Sequence, residues 1–371
     1  MKTFNCYIAK NLLINLGMAL GILVFVMLGT HFFRAFDLLA RGVSPLFLGR
    51  MLLFLLPDVL RFALPLSLLV SCVLVFSRMS ADNEVIALQA GGVSLWQIIS
   101  PCLLISVVIS LICLYLNMSA APDCRYKARQ MRWEALMGNP LAMLEPGMEL
   151  KLADNSVLHI GQKRANVIYD LHLFEKDPGS GKLRDITATK GLIIPSSDSG
   201  SMELLLQGFS LAEYDLSESQ QRRSDSLPFV QADSLSLPLD FARAHEQRPL
   251  SRRLKMMNVK MLFGDWSRSE TSGESGSKHL FEFHYRLVLA MSPFAFLILG
   301  VPFGIRNKRS ETSIGLLLCV VMALVFYAFL LLSDSLRDYP GLHPELILWI
   351  PNLAYQIGGL LVIRKMGRSA A

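Results

Sequence analysis

The sequence predicts an α-helical membrane bundle of six transmembrane helices, three before and three after an inserted all-β, jelly-roll-like domain. Three observations carry that expectation. Of 371 residues, 52% are hydrophobic and only 18% charged, with a mean hydropathy of +0.42; a soluble domain is nearer ~45–50% apolar and ~25% charged. The apolar residues gather in six segments, at roughly 11–33, 50–76, 95–118, 285–305, 313–333 and 344–363. Between the third and fourth, the pattern changes to short period-two runs separated by turn residues.

Each segment approaches or exceeds the ~20 residues that carry a helix across ~30 Å of hydrocarbon, where the backbone must satisfy its own hydrogen bonds. The first is too long for a removed signal peptide and lacks a small-residue cleavage site, so it reads as a retained span. Lys2 and Lys10 precede the first span and Arg78 follows the second. Arg306, Lys308 and Arg309 follow the fourth, and Arg364, Lys365 and Arg368 follow the sixth. The positive-inside rule makes all these ends cytoplasmic. Both termini are then inside and the region 119–284 lies outside. The expected domains are 1–119 with a short cytoplasmic helix at 80–91, an outer domain at 120–284, and 285–371.

The formal net charge of +6 is spread over these anchors and suits anionic lipid. There is no compact Lys/Arg patch with interleaved aromatics, which argues against nucleic-acid binding. Of the six cysteines, most fall in or beside spans, where Cys acts as a small apolar residue. Cys124 belongs to the outer domain and has no evident partner there, so no disulfide framework is expected.

The outer region contains "MELKLAD", "SVLHIGQ", "VIYDLHLFEKD", "DITATKGLIIP", "MELLLQGFSLAEYD" and "FVQADSLSLPLD", with turns such as "DPGSGK" between them. Short strands at this spacing suggest an antiparallel sandwich or jelly roll of about 110 residues. A helical connector at 120–146, with Pro140 and Pro146 near its end, leads out. Residues 250–278 lead back, with a short helical piece around 256–263 and a flexible tract, "SRSETSGESGSK".

"PGSGKL", beginning at Pro178, fails the phosphate-loop pattern. Lys176 stands where the first Gly is required and Leu183 where Ser or Thr is required. It reads as a hairpin turn, and the chain offers no nucleotide site. His279, Glu282 and His284 have no third ligand at metal spacing, since the two histidines fall on different helix faces. No catalytic constellation can be assigned, and no cofactor is expected.

Asp58 and Arg61, in "LLPDVLRFALPLSLL", share a helix face inside the second span. Either alone at membrane depth costs about 2.5–3.5 kcal/mol on insertion scales. The pair either stabilises the bundle or turns Arg61 toward a polar cavity. Basic residues also collect at the outer rim: Arg34, Arg41 and Arg50, then Arg125, Lys127, Arg129 and Arg132, and Arg286. They form either a solvated rim or a phosphate-recognising one, for which guanidinium is suited.

"SRMSADNEVIALQAGGVSLW", at 77–96, is more specific. Ser80 or Asp82 can cap a helix reaching about Ala90, and Gly91–Gly92 can stop it. Ala81, Val85 and Leu88 make a narrow apolar stripe beside Glu84. The segment is either an interfacial loop or a short helix that docks in a partner's groove, its acid meeting a basic residue.

Four stretches together resemble the lipopolysaccharide-export permease family LptF/LptG (YjgP/YjgQ). They are "SRMSADNEVIALQAGGVSLWQ", "EFHYRLVLAMSPFAFLILGVPFGI", "LWIPNLAYQIGGLLVI" and "LLLQGFSLAEYD". "LLPDVLRFALPL" and "ADNE" lean toward the LptF side. The resemblance covers essentially the whole chain. It implies a subunit of an inner-membrane ABC-type complex that extracts lipopolysaccharide from the outer leaflet and passes it through a periplasmic β-jelly-roll. The implied partners are an LptB-like cytoplasmic ATPase dimer, a paralogous permease subunit, LptC-like and LptA-like periplasmic bridge proteins, and lipopolysaccharide. The helix matching 82–90 is the implied coupling helix, with Glu84, Ala81, Val85 and Leu88 meeting the ATPase. The first and fifth spans would meet the partner subunit. Arg34, Arg61, Arg125, Arg129, Arg132 and Arg286 are the candidates for lipid phosphate. Two other classes compete: an envelope sensor or scaffold that binds without transport, and a lipid-modifying enzyme, for which no catalytic set is visible.

Overall fold

In the computed structural model six helices are long and apolar enough to cross a bilayer. The structure describes residues 2–40, 44–138, 149–153, 156–164, 167–176, 183–195, 201–214, 229–240, 252–271, 276–306 and 312–369. The helices are α1 (Lys2–Ala40), α2 (Pro45–Ala81), α3 (Glu84–Ala90), α4 (Leu95–Tyr115), α5 (Ala121–Gly138), α6 (Val259–Thr271), α7 (Ser277–Arg306), α8 (Thr312–Ser335), α9 (Pro344–Ile347) and α10 (Trp349–Ser369). The candidate spans lie in α1, α2, α4 running into α5, α7, α8, and α9 running into α10. The chain divides into two compact units, Met1–Ala128 with Arg252–Ala371, and Arg129–Ser251.

In the helical unit, α2 and α7 are the centre: 72% and 83% of their apolar windows are buried, against 6% for α1. Where water does not drive helices together, small residues permit the close approach that packing needs. A Cβ added to Gly304 of α7 would stand 2.7 Å from the Phe76 Cβ of α2, and one added to Gly359 of α10 would stand 2.5 Å from the Ile298 carbonyl oxygen. Gly304 of "GVPFG" and Gly359 of "IGGLL" are therefore places where helices touch. Polar pins reinforce them. The Ser80 hydroxyl donates to the Ile305 carbonyl at 2.6 Å, Asn352 Nδ2 to the Val288 carbonyl at 3.0 Å, and the Tyr355 hydroxyl to the Met322 carbonyl at 2.7 Å. By contrast, Leu13, Ile22 and Phe25 of α1 and Leu317, Leu324 and Leu331 of α8 are exposed, faces that only lipid or another subunit can cover.

The α4–α5 junction is a wide π-type turn, Leu116–Ala120. Pro122 has no N–H to offer the carbonyl a turn earlier, and the Asn117 side chain donates to the Cys113 carbonyl at 2.8 Å. The outgoing connector is helical to Gly138; Pro140 and Pro146 lie outside the described residues. The return connector differs from expectation, because α6 continues to Thr271, into the tract read as flexible. Leu262 is buried and Asp265 bonds His279, tertiary contacts that composition does not reveal.

The second unit holds β1 (Glu149–Ala153), β2 (Ser156–Arg164), β3 (Val167–Lys176), β4 (Leu183–Pro195), β5 (Ser201–Tyr214) and β6 (Phe229–Asp240). The described strands form one antiparallel sheet in chain order, in place of the two-sheet sandwich or jelly roll expected. Each strand pairs with its sequence neighbour, so none of the Greek-key crossings that define a jelly roll occurs among them. The alternation and turns specify strands and hairpins; sheet partition depends on long-range contacts that no local pattern encodes. One crease crosses the sheet. Gly161, Asp170, Thr189 and Gly208 fall between registered pairs in a single transverse row, with Asp170 at φ 54° and Gly208 at φ 62°. The crease resets the inward face. Ile168 and Leu171, and likewise Leu206 and Phe209, are three apart and yet both buried.

Candidate functional site

Two constellations emerge in the helical unit. The first surrounds α3. Helix α2 runs through Ala81, and the Asp82 amide closes it on the Arg78 and Ser80 carbonyls. Asn83 then takes a left-handed conformation, φ 57°, and α3 starts at Glu84. Neither Ser80 nor Asp82 caps α3, contrary to expectation: Ser80 is buried with its hydroxyl committed to Ile305, and Asp82 ends the preceding helix. Gly92, at φ +83°, takes the chain out of α3 in a conformation that favours glycine. Ser94 and Gln97 close the start of α4 with a reciprocal capping box.

The expected contact set of Ala81, Glu84, Val85 and Leu88 is divided by this geometry. Val85 is 2% exposed and belongs to the core cluster that also holds Ile8, Leu12 and Leu95, and Leu88 packs against the same cluster. Those two seat α3 on its own bundle: Val85 is buried there, while Leu88 is half-buried. Ala81 is exposed, Glu84 is half-buried, and Ile86 stands 45% exposed. The Tyr7 hydroxyl of α1 donates to Glu84 Oε1 at 3.4 Å. Tyr7 escaped the sequence reading; its one signal is that it lies a residue before Ile8 and shares a turn with Phe4, both of which face the core cluster that holds Val85.

The second constellation binds charges inside the bundle. Arg61 Nε lies 2.9 Å from Asp58 Oδ1, and Arg125 of α5 bonds that same oxygen. Two guanidiniums therefore share one carboxylate, and the local balance is one positive charge. The Arg61 guanidinium also sits over the Phe62 ring, 4.5 Å from its centroid. A single buried Arg is costly at membrane depth; the carboxylate and the ring lower that cost. Arg286 is different. It is 1% exposed, and its Nε donates to Glu282 at 3.1 Å, Nη1 to the Met257 carbonyl at 2.7 Å, and Nη2 to the Leu254 carbonyl at 3.0 Å. Arg337 approaches the other Glu282 oxygen at 3.9 Å. Arg286 staples the return connector to α7 and has no face for a ligand, which corrects its placement among phosphate candidates. Glu282 and Arg286 are four apart in "EFHYR", a helical spacing that allows the pair; neither it nor the distant carbonyls was read from the sequence.

Arg129 is half-buried and Arg132 exposed; both belong to the second unit. Arg34 belongs to α1, but its side chain lies outside the described residues. His279 bonds Asp265 at 3.0 Å, and the Trp349 indole donates to His284 Nδ1 at 3.0 Å. With Glu282 held by arginines, the three former metal candidates each have a protein partner. Residues 177–182 of the loop that failed the phosphate pattern lie outside the described residues; the strands on either side pair, with Lys176 opposite Leu183.

Residues 6–365 match the family model described as lipopolysaccharide export system permease LptF/LptG. The chain is similar to the lipopolysaccharide export system permease protein LptF of Escherichia coli K12, 21% identical over 311 residues, covering 81% of this chain and 77% of the relative. The protein of the same description in Shigella flexneri matches at 21% identity over the same 311 residues.

Proposed function

Since the chain belongs to the LptF/LptG family of lipopolysaccharide export permeases, we propose that it is one permease half of an ABC-type complex driven by a separate ATPase. It has six candidate spans in a bacterial inner membrane. In this reading both termini and α3 are cytoplasmic and the sheet is periplasmic. An LptB-like ATPase dimer docks on α3 through Glu84, Ile86 and Ala81, while Val85 and Leu88 transmit its motion into the bundle. The exposed apolar faces of α1 and α8 meet a paralogous permease half. Closure of the ATPase narrows the space between the halves and lifts lipopolysaccharide from the outer leaflet. Its phosphates are held by Arg61 and Arg125, whose shared carboxylate leaves a positive charge unmatched, with Arg34, Arg129 and Arg132 as further contacts. The acyl chains then pass to the apolar face of the sheet and on to LptC-like and LptA-like bridge proteins.

The observation that carries this reading is the seating of α3. A helix of 7 residues is unstable alone, yet this one is anchored by two apolar residues and presents an acid and Ile86 outward. A ligand can shift a conformational equilibrium only through differential contact with its two states, and such a seated wedge supplies that contact. The test is a photocrosslinking residue at Leu211 in β5. It should capture lipopolysaccharide only when ATP and the ATPase are supplied; capture without ATP would mean passive binding.

A further inference from the structure

At the end of the bundle where α10 finishes and α4 begins, a cleft of about 560 Å³ is lined by Gln89, Ser94, Leu95, Trp96, Arg364 and Arg368 among others. Arg364 and Arg368 are one helical turn apart, both exposed, and neither has an ion-pair or hydrogen-bond partner among the described residues. Ser94 and Gln97 cap the start of α4 reciprocally, so the cleft's positive character comes from the two guanidiniums. Trp96 is 42% exposed in the first turn of a candidate span, the depth at which an indole meets lipid headgroups.

The apolar surface leading into the cleft identifies the occupant. Exposed Ile350, Leu353, Ile357 and Leu361 recur at intervals of three and four along α10, and the same interval continues to Arg364 and Arg368. On α4, Trp96 heads a second exposed stripe through Leu104, Val108 and Leu111. An acyl chain filling one leaflet, ~15 Å, covers about ten residues of helix. With a phosphate at Arg364, its far end lies beside Leu353. Guanidinium binds phosphate bidentately. An acidic protein segment would use the arginines and leave both apolar stripes without a role. We propose that this cleft binds the phosphate of an anionic phospholipid from the leaflet in which α10 ends, with an acyl chain lying along Ile357 and Leu361.

The test is native mass spectrometry of the full-length chain in detergent, titrated with phosphatidylglycerol and, separately, phosphatidylcholine. The wild type should retain phosphatidylglycerol preferentially. At ~1 kcal/mol per basic residue near a lipid surface, R364Q/R368Q should bind it roughly tenfold or more weakly. Arg306→Gln, which removes a basic residue outside the cleft, should leave binding unchanged. Leu361→Asn, with both arginines intact, should also weaken it. Equal retention of the two lipids, or unchanged binding by R364Q/R368Q, would overturn the proposal. So would displacement of the lipid by millimolar inorganic phosphate together with an inert Leu361→Asn, which would indicate a free-phosphate site. Loss of a copurifying protein from R364Q/R368Q with lipid retention intact would assign the cleft to a protein partner instead.

Discussion

The Tyr7 hydroxyl donates to Glu84 Oε1 across 3.4 Å, joining the first turns of α1 to the first residue of α3. One end of this link is the helix assigned to ATPase docking. The other is the span with the most exposed apolar face, assigned to the partner permease. Tyr7→Phe should leave stability within about 0.5 kcal/mol, because the bond is exposed, and leave ATPase association intact. It should lower the transport obtained per ATP hydrolysed. Glu84→Ala should keep the protein in the membrane but release the ATPase on copurification.

Arg286→Ala should act on folding. Removing one partner of a buried ion pair costs about 3–5 kcal/mol, and here Glu282 and two carbonyls lose their donor together. Thermal unfolding in detergent should fall markedly, while the folded fraction retains its affinity for lipopolysaccharide. Reduced lipid affinity at unchanged stability would return Arg286 to the ligand-binding set.

Gly358 and Gly359 provide a matched pair. A Cβ at Gly359 would stand 2.5 Å from the Ile298 carbonyl oxygen, whereas nothing lies within 4 Å of one at Gly358. Gly359→Val should separate α10 from α7 at a cost of about 1–3 kcal/mol or more, and Gly358→Val should cost little. Equal melting temperatures for the two variants would contradict the close helix crossing.

Asp58 is shared by Arg61 and Arg125. Asp58→Asn should destabilise the bundle by leaving two neighbouring guanidiniums without their anion. Adding Arg125→Gln should recover part of the loss. A double-mutant cycle read by thermal unfolding should show this coupling; additive effects would mean that the pairs act independently.

The six candidate spans were legible because a bilayer imposes length and apolarity directly on sequence, and α2 and α8 sit where the apolar runs do. Strand positions were legible for a similar reason: alternation at "VIYDLHLF" and turns around it describe a half-buried strand. Sheet order was not, since the same hairpins can continue as one sheet or divide between two, and no local pattern decides which. Burial of Val85 and the packing of half-buried Leu88 also escaped, because an apolar stripe on a short helix has one appearance whether it faces its own bundle or a partner. Asp58 and Arg61 were paired by spacing alone, but Arg125 joins them across 67 residues of chain, and Arg286 reaches carbonyls at Leu254 and Met257 from a separate helix.

ATP-dependent release of lipopolysaccharide from proteoliposomes tests the central claim most directly. The chain assembled with its ATPase and partner permease should release lipid when ATP is added, and assemblies carrying Glu84→Ala, or the chain reconstituted alone, should release none. Nucleotide-driven release by the chain alone, or full release by the Glu84→Ala assembly, would contradict it.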